Sequence, residues 1–522
     1  MGNCEPRFRL RPLCACLAAA STLIVAETAL ASTVSVAALS AAAARVQRGS
    51  ASVLLGSTVT DCNDAQNPGP GSLRYLVAHA VPGDIIDIGS CPVISLSGGI
   101  ATPPFTPLTI SGSGGSTIQA SATEPAIAGL SNLTLANLTV IGGAAIPVVM
   151  NGDRVGGAVV GAYNLTLQNS TISGGVAKGK GGKGGSIYAF GDVTLQNSTI
   201  SGGSAVLAGG CIYGKGSVVL EHSTVTGCSA NAFVVPAYLN ASITAFGGGI
   251  VASSLTITNA SLVSSSFSLG SPSCFYPCYY DFTADDGLAG GIKTGTFTCS
   301  DSRVSGNQAV TAAGISAFAA SLDRCTVDNN FFTKHLTYGD YTSGSGLSVS
   351  GSAQIVNSTF ARNGFGIDAG AYLTLEASTV AYNCLGGVSS PSLLALSSIV
   401  AKNSTYVDFL NCYGSDVNAS AFSGADNLVM TTNLSQAPPP GVITVTADPL
   451  LLPLASNGGP TPTYALDLGS PARDKGSNFN KLASDQRGAG FVRAYGRPDI
   501  GAYEWQVEGD EIFYDGLDYG GR

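Results

Sequence analysis

Charge is what this 522-residue sequence has least of: Asp, Glu, Lys and Arg together make up 11% of it. Long amphipathic helices and coiled coils need charged outer faces, so that composition argues against both. The basic residues are also the minority, 24 against 33 acidic, for a net charge of -9. The chain therefore has no electrostatic ground for wrapping a phosphate backbone or coating an anionic membrane, and nucleic acid is excluded as a partner class. The three histidines, His79, His222 and His335, stand far from any paired-cysteine motif, which leaves no zinc pattern and no metal assignment. What the sequence has instead is glycine, 68 residues, within a 45% hydrophobic composition. That mixture suits short buried strands separated by tight turns.

The N-terminus reads as an export signal. Arg7, Arg9 and Arg11 precede an apolar run from Leu13 to Val25, and Ala29-Leu30-Ala31 offers a small-residue cleavage site. Glu27 argues against a membrane span, and Ala-rich sequence up to Ala44 leaves a later cleavage open. Leu13-Cys14-Ala15-Cys16 has the outline of an acylation box but lacks the hydrophobic segment ahead of the cysteine. Removal of the signal leaves ten of the thirteen cysteines, an even number suited to an oxidising compartment. The sequence-local pairings are Cys62 with Cys91, Cys211 with Cys228, Cys274 with Cys278, Cys299 with Cys325 and Cys384 with Cys412, although spacing alone does not fix connectivity.

One phrase recurs along the middle of the chain: NLTLQNSTISGG from Asn164, VTLQNSTISGG from Val193, VVLEHSTVTGC from Val218, and so on to LALSSIVAKN from Leu394. Equivalent positions are Asn169, Asn197, His222, Asn259, Asp301, Arg324, Asn357, Ala377 and Ser397, with a minimum step of 20 residues. Each phrase follows a glycine and an aliphatic residue, as in Gly185-Ser186-Ile187, Gly314-Ile315 and Gly366-Ile367. Within VTLQNSTIS, Val193, Leu195 and Ile200 fall on one side, with a change of phase near Asn197. A unit of three short strands cannot bury that side alone, whereas stacked units share one core. The expected fold is all-β, a right-handed parallel β-helix with three short strands per coil. The corner asparagines Asn169, Asn197 and Asn357 are expected to form hydrogen-bonded ladders, which explains the periodicity of NLT, NST and NAS triplets (Asn132, Asn164, Asn240, Asn403) better than glycosylation does. Steps longer than the minimum place insertions at one corner, where a binding surface is expected.

Both ends need covering. Leu73, Leu76, Val77 and Ala80 follow a helical spacing after Ser72, a sound N-cap, and Pro82-Gly83 ends the helix, so a short helix is expected across the first coil. The phrase GSLRYLVAHAVPGDIIDI resembles the opening of exported bacterial β-helix proteins, and Arg74 and Asp84 in it are read as capping and orienting residues. Toward the other end, Asp448-Pro449-Leu450, LASNGGPTPTYAL, GSPARDKG, DQRG and GRPDIGAYEW together resemble the choice-of-anchor Q domain of bacterial surface proteins. That resemblance implies a secreted or cell-surface protein of pectin-lyase-like fold. The central Gly-Gly-aliphatic elements and Phe360-Ala-Arg-Asn363 resemble the repeats of polymorphic outer-membrane proteins, without that family's terminal barrel. The resulting organisation is 1–31 signal peptide, 32–60 linker, 61–128 N-terminal cap and first coils, 129–434 β-helix repeats, 435–505 choice-of-anchor Q-like module and 506–522 acidic tail.

Many parallel β-helices act on polysaccharides, so chemistry has to be weighed. The densest acidic cluster is Asp281, Asp285 and Asp286, beside Tyr276, Tyr279 and Tyr280 and followed by Lys293. Carboxylates there can hold calcium and tyrosines can stack on sugar; the competing reading is a solvated, disulfide-tied insertion between Cys274 and Cys299, and it is favoured. The GHG and RIK elements of β-helix glycosidases are missing, the histidines reading AHA, EHS and KHL. The run KGKGGKGGS from Lys178 lacks a phosphate-loop arrangement and reads as a flexible corner loop. The favoured role is non-enzymatic adhesion or carbohydrate contact, with an extracellular polysaccharide or surface partner and no cofactor beyond calcium in the insertion. The alternative is a polysaccharide lyase or glycoside hydrolase of the pectate-lyase-like class, and a trimeric tailspike is disfavoured by the export signal.

Overall fold

The structure, a computed structural model, describes residues 56–506 apart from 66, 148–153, 180, 232–244, 270–288, 310–311, 332–343, 405–411 and 413. The export signal, the acylation box and the acidic tail lie outside the described residues.

The recurring phrases form the right-handed parallel β-helix that their stacking logic requires. Leu165–Gln168 pairs in parallel with Val193–Gln196, which pairs with Ser217–Glu221, each with its equivalent residues in register. The third strand of each coil follows the corner, Thr171–Ser173 on Thr199–Ser201 on Thr224–Thr226. The strand that opens each coil stacks likewise, Val159–Ala162 on Ile187–Ala189 on Ile212–Gly214. Val193, Leu195 and Ile200 are fully buried, as their alternation predicts, and belong to one apolar column running from Val59 to Val442. Each such side chain contributes about 1.5–3 kcal/mol through its removal from water.

The corner between the second and third strands has a backbone reason. Asn169, Asn197, His222, Asn259, Asp301, Arg324, Asn357, Ala377 and Ser397 all have a left-handed φ, between 44° and 56°. Asparagine tolerates that conformation better than other residues with a side chain, which accounts for its frequency here. The expected ladder of these asparagines is corrected by the structure. Asn169 reaches Asn137 at 3.2 Å, but Asn357 turns its amide to the carbonyl of Ser484, and Asn197 points into solvent. Competition from water removes the advantage of pairing there.

Two other columns carry the buried hydrogen bonds between coils. At most corners a serine follows the bend, and its N–H donates to the hydroxyl of its equivalent in the next coil: Ser170 to Ser198, Ser198 to Ser223 and Ser223 to Ser261, each at 3.1 Å, with Cys325 taking the serine's place in one coil. Further along, Asn307, Asn330, Asn363, Asn383 and Asn403 form a buried ladder in which each N–H and side-chain amide donates to the Oδ1 of the next. It ends on Asp416, whose other carboxylate oxygen accepts from Thr431. Asn363 is the asparagine of the FxxN phrase, so that motif is a structural rung. Asn403 is therefore buried within the ladder and is no surface glycan acceptor.

Glycines that open the later coils, Gly291, Gly314, Gly346 and Gly387, lie against this ladder, and those of the earlier coils lie directly against the next coil's backbone. A Cβ on Gly314 would stand 2.3 Å from the carbonyl oxygen of Gly346, and one on Gly185 would stand 2.1 Å from that of Gly210. No side chain fits between coils at that approach. The longer undescribed segments, 148–153, 232–244, 270–288, 332–343 and 405–411, all fall between the third strand of one coil and the opening of a later one. The insertions thus share one corner. The run from Lys178 departs from the loop reading in one respect: Lys183 bridges in parallel to Val155 and Ala208 and so belongs to a rung.

Helix α1 (Leu73–Ala78) covers the first coil, capped by Ser72, whose hydroxyl accepts from Tyr75 N, and it buries Leu73 and Val77. Arg74 grips Asp64 with two bonds of 2.6 and 2.7 Å and the carbonyls of Gly98 and Gly99, which is the orienting role its motif suggests. Disulfides join Cys62 to Cys91, Cys211 to Cys228, Cys299 to Cys325 and Cys384 to Cys412. Cys274 and Cys278 lie outside the described residues.

The segment after about residue 447 does not extend the stack. It lies along the outer side of the third strands. In earlier coils those strands bury only their middle residue, as in Thr199–Ser201, whereas in Thr326–Asp328, Thr359–Ala361, Thr379–Ala381, Ile399–Ala401 and Asn427–Val429 every residue is buried. Ile399, Ala401 and Leu428 pack there against Leu466, Ile500, Tyr503 and Trp505. Gln486 exchanges hydrogen bonds with Thr359 and Thr326, and Ala502 N donates to Thr379. Inside the module Asp485, Arg487, Arg493, Asp499 and Glu504 are almost wholly buried. Asp485 takes two bonds from Arg487, whose guanidinium lies 3.9 Å from the Tyr503 ring centroid.

Replacing Asn363 with Ala strands donors and acceptors on two neighbouring rungs and is expected to cost about 3 kcal/mol, against about 1 kcal/mol for Asn197→Ala, where only the left-handed backbone suffers. Urea unfolding of both variants checks this, and an equal loss would refute the assignment of the buried ladder. The module supplies a second test. Burial pushes the Glu504 carboxyl from 4.5 up to about 8, with nearby Asp499 adding to the rise, and burial also raises Asp485 and Asp499. A carboxyl that binds its proton more tightly when folded stabilises fully below its unfolded pKa and loses that contribution as pH rises toward the folded one. The docked module is therefore expected to weaken between pH 4.5 and 8. The fluorescence of Trp505, the single tryptophan, reads this directly, and a Glu504→Gln variant should show a flatter pH profile.

Candidate functional site

The opening strand of each coil has one outward column that can be followed through the whole stack: Ala128, Val160, Tyr188, Tyr213, Val251, Lys293, Ser316, Ser348, Asp368, Ser389, Asn418 and Asn433. It adjoins the corner from which the insertions leave. Its N-terminal part is apolar and includes two neighbouring tyrosines, and its C-terminal half is polar.

In the apolar part, Tyr188 and Tyr213 are direct register partners, so stacking of coils becomes stacking of rings: their centroids are 5.4 Å apart with 2° between planes. Phe190 meets Tyr188 edge-on at 5.3 Å. Two ammonium groups lie over this cluster, Lys183 Nζ 5.6 Å from the Tyr213 ring centroid and Lys215 Nζ 5.3 Å from that of Phe190. Tyr188 is buried and Tyr213 and Phe190 are half-buried. At the next corner Phe105, Leu130 and Tyr163 are exposed. The sequence signal for this cluster is the pair Ile187-Tyr188 and Ile212-Tyr213 at equivalent positions, a signal hidden within the glycine-aliphatic element.

Lys293 stands in the middle of the column, between Val251 and Ser316, and donates to the Ser316 hydroxyl at 2.9 Å. Burial pushes its ammonium below the usual lysine range. Asp281, Asp285, Asp286, Tyr276, Tyr279 and Tyr280 all lie outside the described residues, in the segment that leads into the Lys293 strand. Among the described residues no three His, Cys, Asp or Glu side chains gather as a metal site.

Three acidic side chains elsewhere on the solenoid, Asp301, Asp323 and Asp328, are tied to arginines. Arg303 binds Asp328 through two bonds of 2.6 and 2.7 Å. Arg324 forks onto Asp301 and also donates to Asp323 at 2.5 Å. Asp323 and Arg324 form part of one wall of a cleft of about 360 Å³ between the second-strand corner and the C-terminal module. Ser321, Asp323, Arg324, Gln354 and Asn357 line it from the solenoid, and Leu482, Ala483 and Ser484 from the module. Burial raises the Asp323 carboxyl, with Arg324 opposing the rise.

No family model and no curated protein matches the chain. A solved structure, that of pectate lyase Pel9A, is similar with a TM-score of 0.37 and 11% identity over 86% of this chain and 96% of that one. The strand register given above defines a parallel β-helix without reference to it. Among the described residues no helix is long and apolar enough to cross a membrane.

Proposed function

We propose that this chain is an exported solenoid, secreted or held at the cell surface, that makes contact with carbohydrate along its outer face and does not transform it. The observation that carries this reading is the stacked Tyr188–Tyr213 pair, with Lys183 over Tyr213 and Lys215 over the adjoining Phe190. Flat aromatic faces take the apolar side of a sugar ring, and the ammonium groups suit hydroxyl or carboxylate oxygens beside it. Rigid strands hold the platform, so little ordering is needed on contact. The four disulfides support an oxidising destination. The resemblance of 447–505 to the choice-of-anchor Q domain supports the surface.

A polysaccharide lyase is the second reading, and Lys293 is what favours it. A lysine whose ammonium is destabilised by burial, on the column beside the insertions, has the character of a proton-abstracting base.

Affinity electrophoresis through gels holding neutral and uronic-acid polysaccharides tests the first reading. At least one gel should retard the mature protein, and Tyr213→Ala combined with Lys215→Ala should weaken the retention about 5- to 10-fold, the scale of one aromatic contact and one charge. Unaltered retention would remove the platform from the account. Incubation with polygalacturonate and calcium separates the second reading: no unsaturated product is expected. Calcium-dependent product that disappears in Lys293→Ala, or in Asp285→Ala with Asp286→Ala, would establish catalysis instead.

A further inference from the structure

The cleft between the solenoid and the C-terminal module has features that the fold does not need. Asn357 forms part of its lining, is 2% exposed, and is held by a 3.1 Å bond from its amide nitrogen to the Ser484 carbonyl. That bond fixes which way the amide faces. The other end, Oδ1, is buried without a hydrogen-bond partner. An acceptor left in that state costs about 1–3 kcal/mol, a cost that a hydroxyl donor brought to it removes. Around it stand Ser321, Gln354 and Ser484, and Asp323, whose side chain remains 42% exposed despite its bond to Arg324. One guanidinium between two carboxylates leaves the group around Arg324 with a net negative charge. The lining itself holds Asp323 and Arg324, and Asp301, outside the lining, takes up most of the Arg324 guanidinium, so the cleft asks for hydroxyl donors and offers an anion little attraction.

We propose that this cleft is a second carbohydrate site, one that takes a single unit of a neutral polysaccharide. A carboxylate oxygen of Asp323 and the Asn357 Oδ1 accept from sugar hydroxyls, while Gln354 and the serines either donate or accept. The volume of about 360 Å³ lies in the range of small-ligand sites, and Val356 and Leu482 give the ring an apolar edge. The site exists only because the module folds back over the coils. It uses no residue of the tyrosine platform, so each site stands or fails without the other.

Isothermal titration calorimetry of the mature protein with cellohexaose, mannohexaose and a β-galactan hexasaccharide, and with hexagalacturonate as the charged comparison, tests it. At least one neutral oligosaccharide is expected to bind with Kd below about 1 mM, and hexagalacturonate at least about tenfold more weakly. Gln354 is an exposed strand residue, so Gln354→Trp should block the cleft and reduce binding by about tenfold or more while leaving the thermal midpoint unchanged. Asn357→Gly keeps the left-handed corner and removes the acceptor, and is expected to weaken binding severalfold. Whatever binding the tyrosine platform contributes, the component that Gln354→Trp removes should persist in Tyr213→Ala. Failure of all three neutral sugars to bind, equal binding of hexagalacturonate, or binding that survives Gln354→Trp but is lost in Tyr213→Ala would overturn the proposal; the last result would place the contact on the platform instead.

Discussion

Close parallel stacking of one coil on the next is the constraint from which the rest of this molecule follows. Strands in register bring the openings of successive coils so near that a methyl group on Gly185 or Gly314 would meet the next carbonyl well inside contact distance. The same closeness leaves buried N–H groups at every bend, and each must find an acceptor in the neighbouring coil. Serine supplies it after the left-handed corner, and asparagine supplies it beside the glycines. The apolar column supplies most of the stabilisation, while the polar columns fix the register: a slip by one residue would turn every side chain to the opposite face and break both ladders together.

The last coils differ from the first in what lies outside them. Their third strands are buried on both faces, because the C-terminal module lies against them instead of adding another rung. Sequence carries a trace of this change: TIS and TVT give way to TFA, TVA and IVA, with an apolar residue replacing Ser or Thr at the outward position. Strands with two covered faces read as continuous apolar runs. The charged residues that look like surface groups in DQRG and GRPDIGAYEW are in fact the interior of the module, where Arg487 lies between aromatic rings and Asp485 answers its charge.

Chemistry on the solenoid follows from position in the stack rather than from local motif. Tyr188 and Tyr213 are 25 residues apart in sequence and become a pair of parallel rings because their strands are register partners. Asp301, Asp323 and Arg324 come together at a corner in the same manner, from consecutive coils. Asn357 and Ser484 come from different parts of the fold altogether.

The sequence alone determined the repeat, the inward residues such as Val193, Leu195 and Ile200, the capping helix and the position of the insertions, because each is a local or strictly periodic consequence of strand alternation and coil length; it offered the cysteine pairings only as sequence-local candidates, and the structure joins four of them. It also marked the left-handed corner, yet assigned the ladder to the residue that makes the bend instead of to the serine after it and to the asparagine of FxxN. Backbone direction decides which of those side chains faces the next coil, and direction is not written in spacing. Only the tertiary structure decided that the C-terminal segment lies beside the coils, that its charged groups are internal, and that a polar cleft forms along the seam. Those features depend on contacts between residues more than a hundred positions apart, such as Thr359 with Gln486, for which a periodic pattern has no signature.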